Sequence, residues 1–319
     1  MTNIYLPEGA LINSFENRSA MSSVQSLEKS AQQGKILEGI AGMCDGDMCL
    51  HVDLCGIEGI IRKEECVLAK AGEEIKDIAV ITRVGKPVCF KVIGFENIDG
   101  VQRAVLSRRL AQVECLNYYL SSLIPGDIIP ACVTHLENFG AFVDIGCGIV
   151  SLLSIDCISV SRISHPSDRL SVGMKISVAV KSNDPESGRI YVTQKELLGT
   201  WEENAASFSV GQTISGIVRS VESYGVFIEL APNLAGLAEL KDGDGNTRNL
   251  KIGQSAAVFI KSIIPERMKI KLVIIDSYQN TFPVPPVKYY IDTEKITHID
   301  SWQYSPVSCN KIIKTVFEE

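Results

Sequence analysis

Two pairs of aromatic residues give the clearest chemical signal in the sequence, and each pair encloses a glycine. They are Phe139 with Phe142 in the string FGAF, and Tyr224 with Phe227 in the string YGVF. Side chains alternate between the faces of a strand, so Phe142 and Phe227 point to solvent while strand period alone turns Phe139 and Tyr224 inward. A bulge at the glycine would bring both rings onto one face, as a platform on which unpaired bases stack for about 1–3 kcal/mol each. The alternative is that Phe139 and Tyr224 cap a hydrophobic core.

Charged residues follow both aromatic pairs along the sequence. Lys181 and Lys261 occupy matching exposed positions on the predicted fourth strand of two repeats. Asp184 and Arg189 flank the next hairpin turn, and Lys269 takes the Arg189 position in the later copy. Cations beside aromatic rings suit the phosphate backbone of a nucleic acid. The alternative for each residue is ordinary solvated surface charge.

Residues of catalytic and metal-binding types do not form recognisable motifs. His135 and His165 have no associated nucleophile motif, and the sequence contains no GxSxG, Walker-type or HExxH string. Asp144 and Glu229 belong to separate repeats and point outward by strand alternation, so we interpret them as solvated surface carboxylates. The ten cysteines include no CxxC pair, which argues against a zinc site. We therefore expect no enzyme activity, no metal and no cofactor.

The aromatic and charged positions recur because the sequence repeats itself. Segments 126–198 and 211–276 share one order: a glycine-led alternating strand, a tight turn, two more strands, a variable insert and a final hairpin. Five short strands in so small a unit avoid exposed edges most readily by closing into an OB-type barrel. Segment 34–110 is a degenerate copy in which Met48 and His51 lie nearest the aromatic positions. We therefore predict a mainly β fold with three tandem five-stranded OB-type β-barrels joined by short helical linkers.

The remaining segments connect or extend these barrels. Residues 111–125 have apolar residues at helical spacing, and residues 199–210 take the same linking place between the second and third copies. The N-terminal segment 1–33 is polar and serine-rich, with one helix predicted near 23–32. The C-terminal extension 277–319 mixes prolines, aromatics and β-branched residues that could pack on the third barrel or form a strand pair. Both ends are too short for a catalytic domain.

Length, composition and charge limit the class of protein. The chain has 319 residues, 45% of them hydrophobic and 22% charged, which is typical of a soluble folded protein with several domains. Its formal net charge is −7, from 31 basic and 38 acidic side chains, so any nucleic-acid site must be local. The sequence shows neither a secretion signal nor a long apolar run. We expect a cytoplasmic monomer with reduced cysteines and no membrane contact.

Three strings of the second copy resemble a known repeat. NFGAFVDIGCGIVSLLSID, VGMKISVAVKSND and GRIYVTQKE are similar to the RNA-binding repeat of the bacterial ribosomal protein S-one (S1) family, which also occurs in polynucleotide phosphorylase and ribonuclease E. The resemblance is strong over 126–198, good over 211–276, weak over 34–110 and absent at both ends. It implies an RNA-binding face built from two aromatics, a histidine, and an Asp and Arg of the last hairpin. Carried over, these residues are Phe139, Phe142, Asp184 and Arg189 in the second copy, and Tyr224, Phe227 and Lys269 in the third.

Departures from the family pattern leave alternatives open. The family histidine falls at Ser154 and Glu239, and Ile264 replaces the hairpin aspartate in the third copy. The resemblance implies a non-catalytic protein that binds single-stranded RNA, mRNA in particular, and is linked to translation on the small ribosomal subunit. The alternative is a protein-interaction adaptor for the ribosome, RNA polymerase or an RNA-degrading nuclease, which the negative charge favours. Because its aromatics are missing, we expect the first copy to be a structural or protein-contact module.

Overall fold

Three closed β-barrels follow one another along the chain. The computed structural model describes residues 5–69, 72–98, 100–239, 250–279 and 286–318. Each barrel has five strands in the order first, second, third, fifth and fourth, and the fourth strand returns to the first. The third and fifth strands of each barrel run parallel, which closes the sheet. The predicted mainly β fold of tandem five-stranded barrels is therefore confirmed.

The barrel strands are short, and each barrel uses consecutive ones. Barrel one contains β1 (Leu37–Cys44), β2 (Leu50–Leu54), β3 (Ile57–Ile61), β4 (Pro87–Ile98) and β5 (Val101–Ser107). Barrel two contains β6 (Ile128–Glu137), β7 (Gly140–Asp144), β8 (Val150–Ser154), β9 (Lys175–Asp184) and β10 (Arg189–Thr193). Barrel three contains β11 (Thr213–Glu222), β12 (Gly225–Ala231), β13 (Leu234–Glu239), β14 (Ser255–Ile264) and β15 (Lys269–Tyr278).

Alternation along the second strands explains the barrel cores. In β7, Ala141 and Val143 point inward and are fully buried, and Val226 and Ile228 do the same in β12. Apolar and β-branched side chains at alternate positions favour a pleated strand with one face in a core. Closure of the sheet then removes the unpaired strand edges that a small open sheet would expose.

Short helices connect and cover the barrels. The α-helices are α1 (Phe15–Met21), α2 (Val24–Gln32), α3 (Asp77–Ile81), α4 (Arg108–Ser122), α5 (Ile155–Ile158) and α6 (Trp201–Ala205), with 3₁₀ turns at Lys63–Glu65, Pro166–Asp168, Lys195–Leu198 and Pro265–Arg267. The Ser23 side chain caps α2, so the helix predicted near 23–32 is confirmed. Helix α4 leads from barrel one to barrel two, and α6 precedes barrel three. None of the helices in the described ranges has both the length and the apolar character that a bilayer crossing needs.

The N-terminal segment packs between the first two barrels. Tyr5 is buried in the core of barrel two and lies edge-on to Tyr119 of α4, with ring centroids 5.8 Å apart. Glu8 pairs with the buried guanidinium of Arg108, through Nε–Oε1 and Nη2–Oε2 distances of 2.6 and 2.9 Å. Residues 5–33 of the polar segment are therefore part of the folded structure.

The C-terminal extension packs against barrels two and three. Strand β16 (Ser301–Gln303) pairs with β17 (Lys314–Val316), so the predicted strand pair is confirmed. Tyr304 is buried in the core of barrel three. The Ile128 amide at the start of β6 donates a 2.8 Å hydrogen bond to the Thr297 carbonyl oxygen. The extension therefore joins two barrels that only a short linker connects along the chain.

Candidate nucleic-acid interface

The aromatic pairs lie at the hairpin between the first and second strands of barrels two and three. Glu137 pairs with Gly140, so Phe139 belongs to the tight turn between β6 and β7 rather than to β7. Tyr224 holds the same turn position between β11 and β12. The bulge of each hairpin lies instead in the preceding strand, β6 or β11. A turn, and not a bulge at the glycine, therefore brings Phe139 and Tyr224 onto the outer face.

The two rings of each pair contact one another edge to face on the outer surface. Ring centroids are 6.0 Å apart at 87° for Phe139 and Phe142, and 6.2 Å apart at 89° for Tyr224 and Phe227. Phe139 and Tyr224 are 54% and 59% exposed, so neither caps its barrel core. This arrangement is favoured between aromatic rings and leaves ring faces open. The predicted juxtaposition of both rings on one face is confirmed in both barrels.

The glycine inside each pair is required by the close approach of the neighbouring strand. A Cβ atom at Gly140 would lie 2.5 Å from the Leu153 carbonyl oxygen. At Gly225 it would lie 2.7 Å from the Ala238 carbonyl oxygen. Any other residue would push the third strand away from the second. The glycine therefore allows the second strand, which carries Phe142 or Phe227, to pair closely with the third strand.

His135 adds a third ring to the platform of barrel two. It pairs directly with Phe142 across β6 and β7, and the two rings stack at 22° with centroids 6.4 Å apart. Its side chain is 62% exposed, and Nε2 lies 2.8 Å from Glu137 Oε1. Ser220 takes this position in barrel three. The sequence analysis did not predict that His135 lies beside Phe142. Counting back along β6 from the turn at Phe139 would have paired the two residues.

Lys181 and Lys261 occupy equivalent bulges in the fourth strands. Strand pairing skips Lys181 between Val180 and Ser182 in β9, and it skips Lys261 in β14. Both side chains are exposed. Burial lowers the pKa of Lys181, but its interactions with Cys157, whose Sγ lies 3.3 Å from Nζ, and with Asp156 and Glu196 together outweigh this and raise the pKa overall. Both barrels thus present a cation at the same structural position.

The last hairpin of barrel two holds Asp184 and Arg189 opposite one another. The Asp184 carboxylate accepts hydrogen bonds from the Ser187 hydroxyl at 2.5 Å and from the Glu186 and Ser187 amides at 3.1 and 3.2 Å. These bonds, that of the Ser187 hydroxyl above all, lower the pKa of Asp184. Arg189 is exposed. Asp184 therefore shapes the turn that presents Arg189.

The positions of the family histidine lie directly beside the platform. Ser154 and Glu239 each pair with the platform glycine of their own barrel. In barrel three the Glu239 carboxylate lies 3.2 Å from Lys269 Nζ and 3.4 Å from Lys271 Nζ. The hydrogen bonds with these two lysines lower the pKa of Glu239. One carboxylate thus faces two cations. Lys271, which the sequence analysis did not single out, is therefore a further charged residue beside the platform.

Asp144 and Glu229 point away from their barrel cores, but they are not solvated. They are 3% and 5% exposed. The Asp144 carboxylate accepts a 2.8 Å hydrogen bond from the Glu8 amide, and Glu229 pairs with Arg169 of barrel two and with Arg219. Burial, and then the charge of Glu8, raise the pKa of Asp144 to about 7. The prediction of surface carboxylates is wrong because neighbouring segments cover the outer face of these strands.

Barrel one has a polar cluster where the other barrels have a platform. His51 pairs with Met43 after a bulge in β1, which is the strand position of Phe142 and Phe227. Its Nε2 lies 2.9 Å from Asp45 Oδ2. Its Nδ1 lies 2.8 Å from a carboxylate oxygen of Glu58, the residue that follows Ile57 in β3. The degenerate copy therefore has the same fold, but a hydrogen-bonded histidine takes the place of the phenylalanine.

Closed five-stranded barrels of this strand order, two of them with outward-facing aromatic pairs and adjacent cations, define an OB-type module of the kind that binds nucleic acids. Residues 122–195 match the family described as S1 RNA binding domain. Barrel two is therefore similar in sequence to the S1 RNA-binding domain.

Curated relatives extend the match to most of the chain. Small ribosomal subunit protein bS1 of Leuconostoc lactis is 32% identical over 265 residues, which cover 80% of this chain and 58% of that protein. The bS1 protein of Rhizobium meliloti (strain 1021) is 26% identical over 284 residues, which cover 85% of this chain and 48% of that protein. The chain spans about half the length of the curated relatives it matches. A solved multidomain protein with nucleic acid binding domains from Streptococcus pneumoniae is 15% identical, covers 76% of this chain and 73% of its own, and has a TM-score of 0.24.

Proposed function

We propose that this protein binds single-stranded RNA, mRNA in particular, without catalysing a reaction, and that it acts in translation on the small ribosomal subunit. Segments 126–198 and 211–276 would be the RNA-binding modules, and segment 34–110 a supporting or docking module. The S1 match over 122–195 and the relatives named small ribosomal subunit protein bS1 support this proposal.

The observation that carries the proposal is the recurrence of one outward-facing ring pair, an exposed ring in the turn beside a half-buried ring in the strand, at the same hairpin of two barrels. Unpaired bases stack on such rings with little sequence preference, because every base has a π-face. Phe142 is flanked by Phe139 and by His135, so barrel two offers more ring surface than barrel three. We therefore expect barrel two to contribute more of the stacking energy.

Cations close to the rings would meet the phosphate backbone. Lys181, Arg189 and Lys261 are exposed, and Lys269 shares Glu239 with a second lysine. Phosphate contacts position a strand without reading its sequence. This local charge accounts for RNA binding by a chain whose formal net charge is −7.

A protein-interaction adaptor is the second candidate, and the face of barrel one favours it. His51, Asp45 and Glu58 replace the rings there with hydrogen-bonded charges. The His51 side chain is 16% exposed and both its ring nitrogens are hydrogen-bonded, so this face offers a base much less ring surface than either platform. In this reading the RNA affinity of the intact protein is weak, and a partner protein binds in the absence of RNA.

Titration of a fluorescent, unstructured RNA of about 20 nucleotides against the intact protein tests the proposal. The double variant Phe142→Ala/Phe227→Ala should lose about 2–6 kcal/mol of binding free energy, because two stacking contacts are removed. Phe15→Ala is a matched control, since Phe15 is 81% exposed on α1 and lies outside both platforms. It should bind RNA like the wild type.

The two candidate functions give different results in this titration. Equal, weak binding by wild type and the double variant would reject the platform and favour the adaptor. Capture of partners from lysate before and after nuclease treatment then separates RNA-mediated from direct protein contacts. Circular dichroism of each variant establishes that the barrels remain folded.

A further inference from the structure

Barrels two and three each contact the preceding barrel through the turn between their own second and third strands. In barrel two this turn follows β7, and the buried Cys89 Sγ of barrel one lies 3.3 Å from the Cys147 carbonyl oxygen within it. In barrel three the turn follows β12, and it contains the fully buried Asn233. The Asn233 amide donates to the carbonyl oxygens of Lys195 and Gly199, just after barrel two, at 2.8 and 3.0 Å. The two junctions therefore have the same polarity.

A carboxylate on the second strand ties each of these turns to the preceding part of the chain. The Asp144 carboxylate accepts a 2.8 Å hydrogen bond from a backbone amide of the N-terminal segment. Glu229 pairs with Arg169 of barrel two. Asp53 holds this position in barrel one, where it is exposed, as is the turn at residues 55–56. In the part of the chain that the structure describes, barrel one therefore presents the same turn uncovered.

An outer face on the fourth and fifth strands follows the reverse pattern. Ser107, Thr193 and Val273 hold equivalent places on the fifth strands, because each pairs two positions before the fourth-strand bulge. Their exposed fractions are 0%, 1% and 44%. Cys89 of the first junction lies on the same face of β4 as the residue that pairs with Ser107. Lys195 of the second junction follows Thr193 by two residues. The face beside each junction is therefore covered in barrels one and two and open in barrel three.

The open face of barrel three is apolar. The half-buried Phe259 pairs directly with Val273. Tyr278 pairs with Ser255, four positions from Phe259 and so on the same face, and it is 44% exposed. Ile275, which strand pairing skips at a bulge between them, is 51% exposed. The end of a stack of repeats normally carries a polar outer face, and adjacent exposed apolar side chains mark an interaction surface.

We propose that this chain associates with a second copy of itself head to tail, with the Asp53 turn of one copy docked on the open face of barrel three in the next. The chain already forms two junctions of this polarity, and the uncovered turn and the uncovered face are the two halves of a third. Such a contact joins different surfaces, so it can add copies beyond a dimer. The proposal replaces the monomer expected from the sequence and does not depend on RNA binding.

Sedimentation velocity of the intact, nuclease-treated protein in reducing buffer tests the contact across a series of concentrations. The average sedimentation coefficient should rise with concentration. Asp53→Arg in the turn and Val273→Glu on the open face should each weaken association at least about tenfold, because each places a charge in a contact that excludes water. Asp47→Arg and Val172→Glu are matched controls, since both residues are exposed outside the two surfaces. Both should associate like the wild type.

An equimolar mixture of Asp53→Arg and Val273→Glu tests the head-to-tail geometry. Each variant alone lacks one surface, whereas the mixture regains one intact contact and should form dimers but nothing larger. Association of Asp53→Arg alone at the wild-type level would indicate a symmetric contact and overturn the proposal. A wild type that stays monomeric at every concentration would overturn it as well. Circular dichroism establishes that each variant is folded, and Ile275→Glu takes the place of Val273→Glu if that variant is not.

Discussion

The second strand of barrel one and the second strands of barrels two and three share a register but differ at two outward positions. The first position holds His51 in barrel one, and Phe142 or Phe227 in the others. The next outward position, two residues along, holds Asp53, Asp144 or Glu229. Asp53 is exposed, whereas both other carboxylates are buried by neighbouring segments. The comparison teaches that the fold leaves the outer face free to vary, and that this face determines both ligand and domain contacts.

The fourth strands repeat this lesson at a bulge. Pairing skips Ile93 in barrel one, between Val92 and Gly94, at the position of Lys181 and Lys261. The bulge therefore occurs in all three barrels, whereas the type of residue at the bulge differs between them. Barrel one lacks both the rings and the cation of the proposed RNA sites.

The largest expected effect concerns the buried carboxylate. Glu229→Ala would remove the carboxylate partner of Arg169 and leave Arg219 paired with Asp168 alone, so it should destabilise the protein by about 3–5 kcal/mol. Asp53→Ala should cost about 1 kcal/mol or less, because it loses one exposed hydrogen bond to the Gly56 amide. Urea unfolding followed by tryptophan fluorescence and circular dichroism measures both. Equal losses in the free energy of unfolding would show that burial of the carboxylate at this position does not contribute to stability.

Removal of single rings from the turn has the next largest effect. Phe139→Ala and Tyr224→Ala should each weaken RNA binding by about 1–3 kcal/mol, because each ring is exposed and not needed for its barrel core. Met48→Ala, at the corresponding turn of barrel one, should leave RNA affinity unchanged. Fluorescence anisotropy measures all three. An RNA affinity that falls only in Met48→Ala would reverse the assignment of the binding barrels.

A smaller effect is expected in the salt dependence of RNA binding. Replacement of Lys181 and Lys261 by alanine should reduce the log–log slope by about 0.7 for each phosphate that is no longer neutralised. Ile93→Ala is the matched change in barrel one and should not alter the slope. Titrations across a series of salt concentrations provide the measurement. A slope that the lysine variants leave unchanged would mean that neither lysine meets phosphate.

The smallest expected effect is a pH dependence of stability that arises from His51 in barrel one. Burial lowers the pKa of His51, but hydrogen bonds with Asp45 and Glu58 outweigh this and raise it above its ordinary value. Protonated His51 therefore stabilises barrel one fully below the ordinary histidine pKa, and this contribution is lost as pH rises through the raised value. The denaturation midpoint of wild type, relative to His51→Phe, should fall as pH rises above about 6.5. A difference that does not vary with pH would exclude this role for His51.

Much of the fold could be predicted because it depends on local patterns that repeat. Alternation set the inward side chains of β7 and β12, and the two related strings revealed the ring pairs. The burial of Asp144 and Glu229 could not be predicted in the same way, because it depends on contacts with Glu8 and Arg169, which lie far away in sequence. His135 was considered only as a residue of catalytic type, because its place beside Phe142 depends on the register across a hairpin rather than on spacing along one strand.

Phe227 and Glu229 lie two residues apart on β12, and Glu229 is tied to Arg169 of barrel two. The strand that presents one ring pair is therefore anchored to the barrel that presents the other. Ion pairing at this junction, and not the linker alone, would set the distance between the platforms before any RNA arrives. An RNA bound across both would give up its own conformational freedom while the protein gave up little. Preorganisation of this kind raises affinity without any additional interaction.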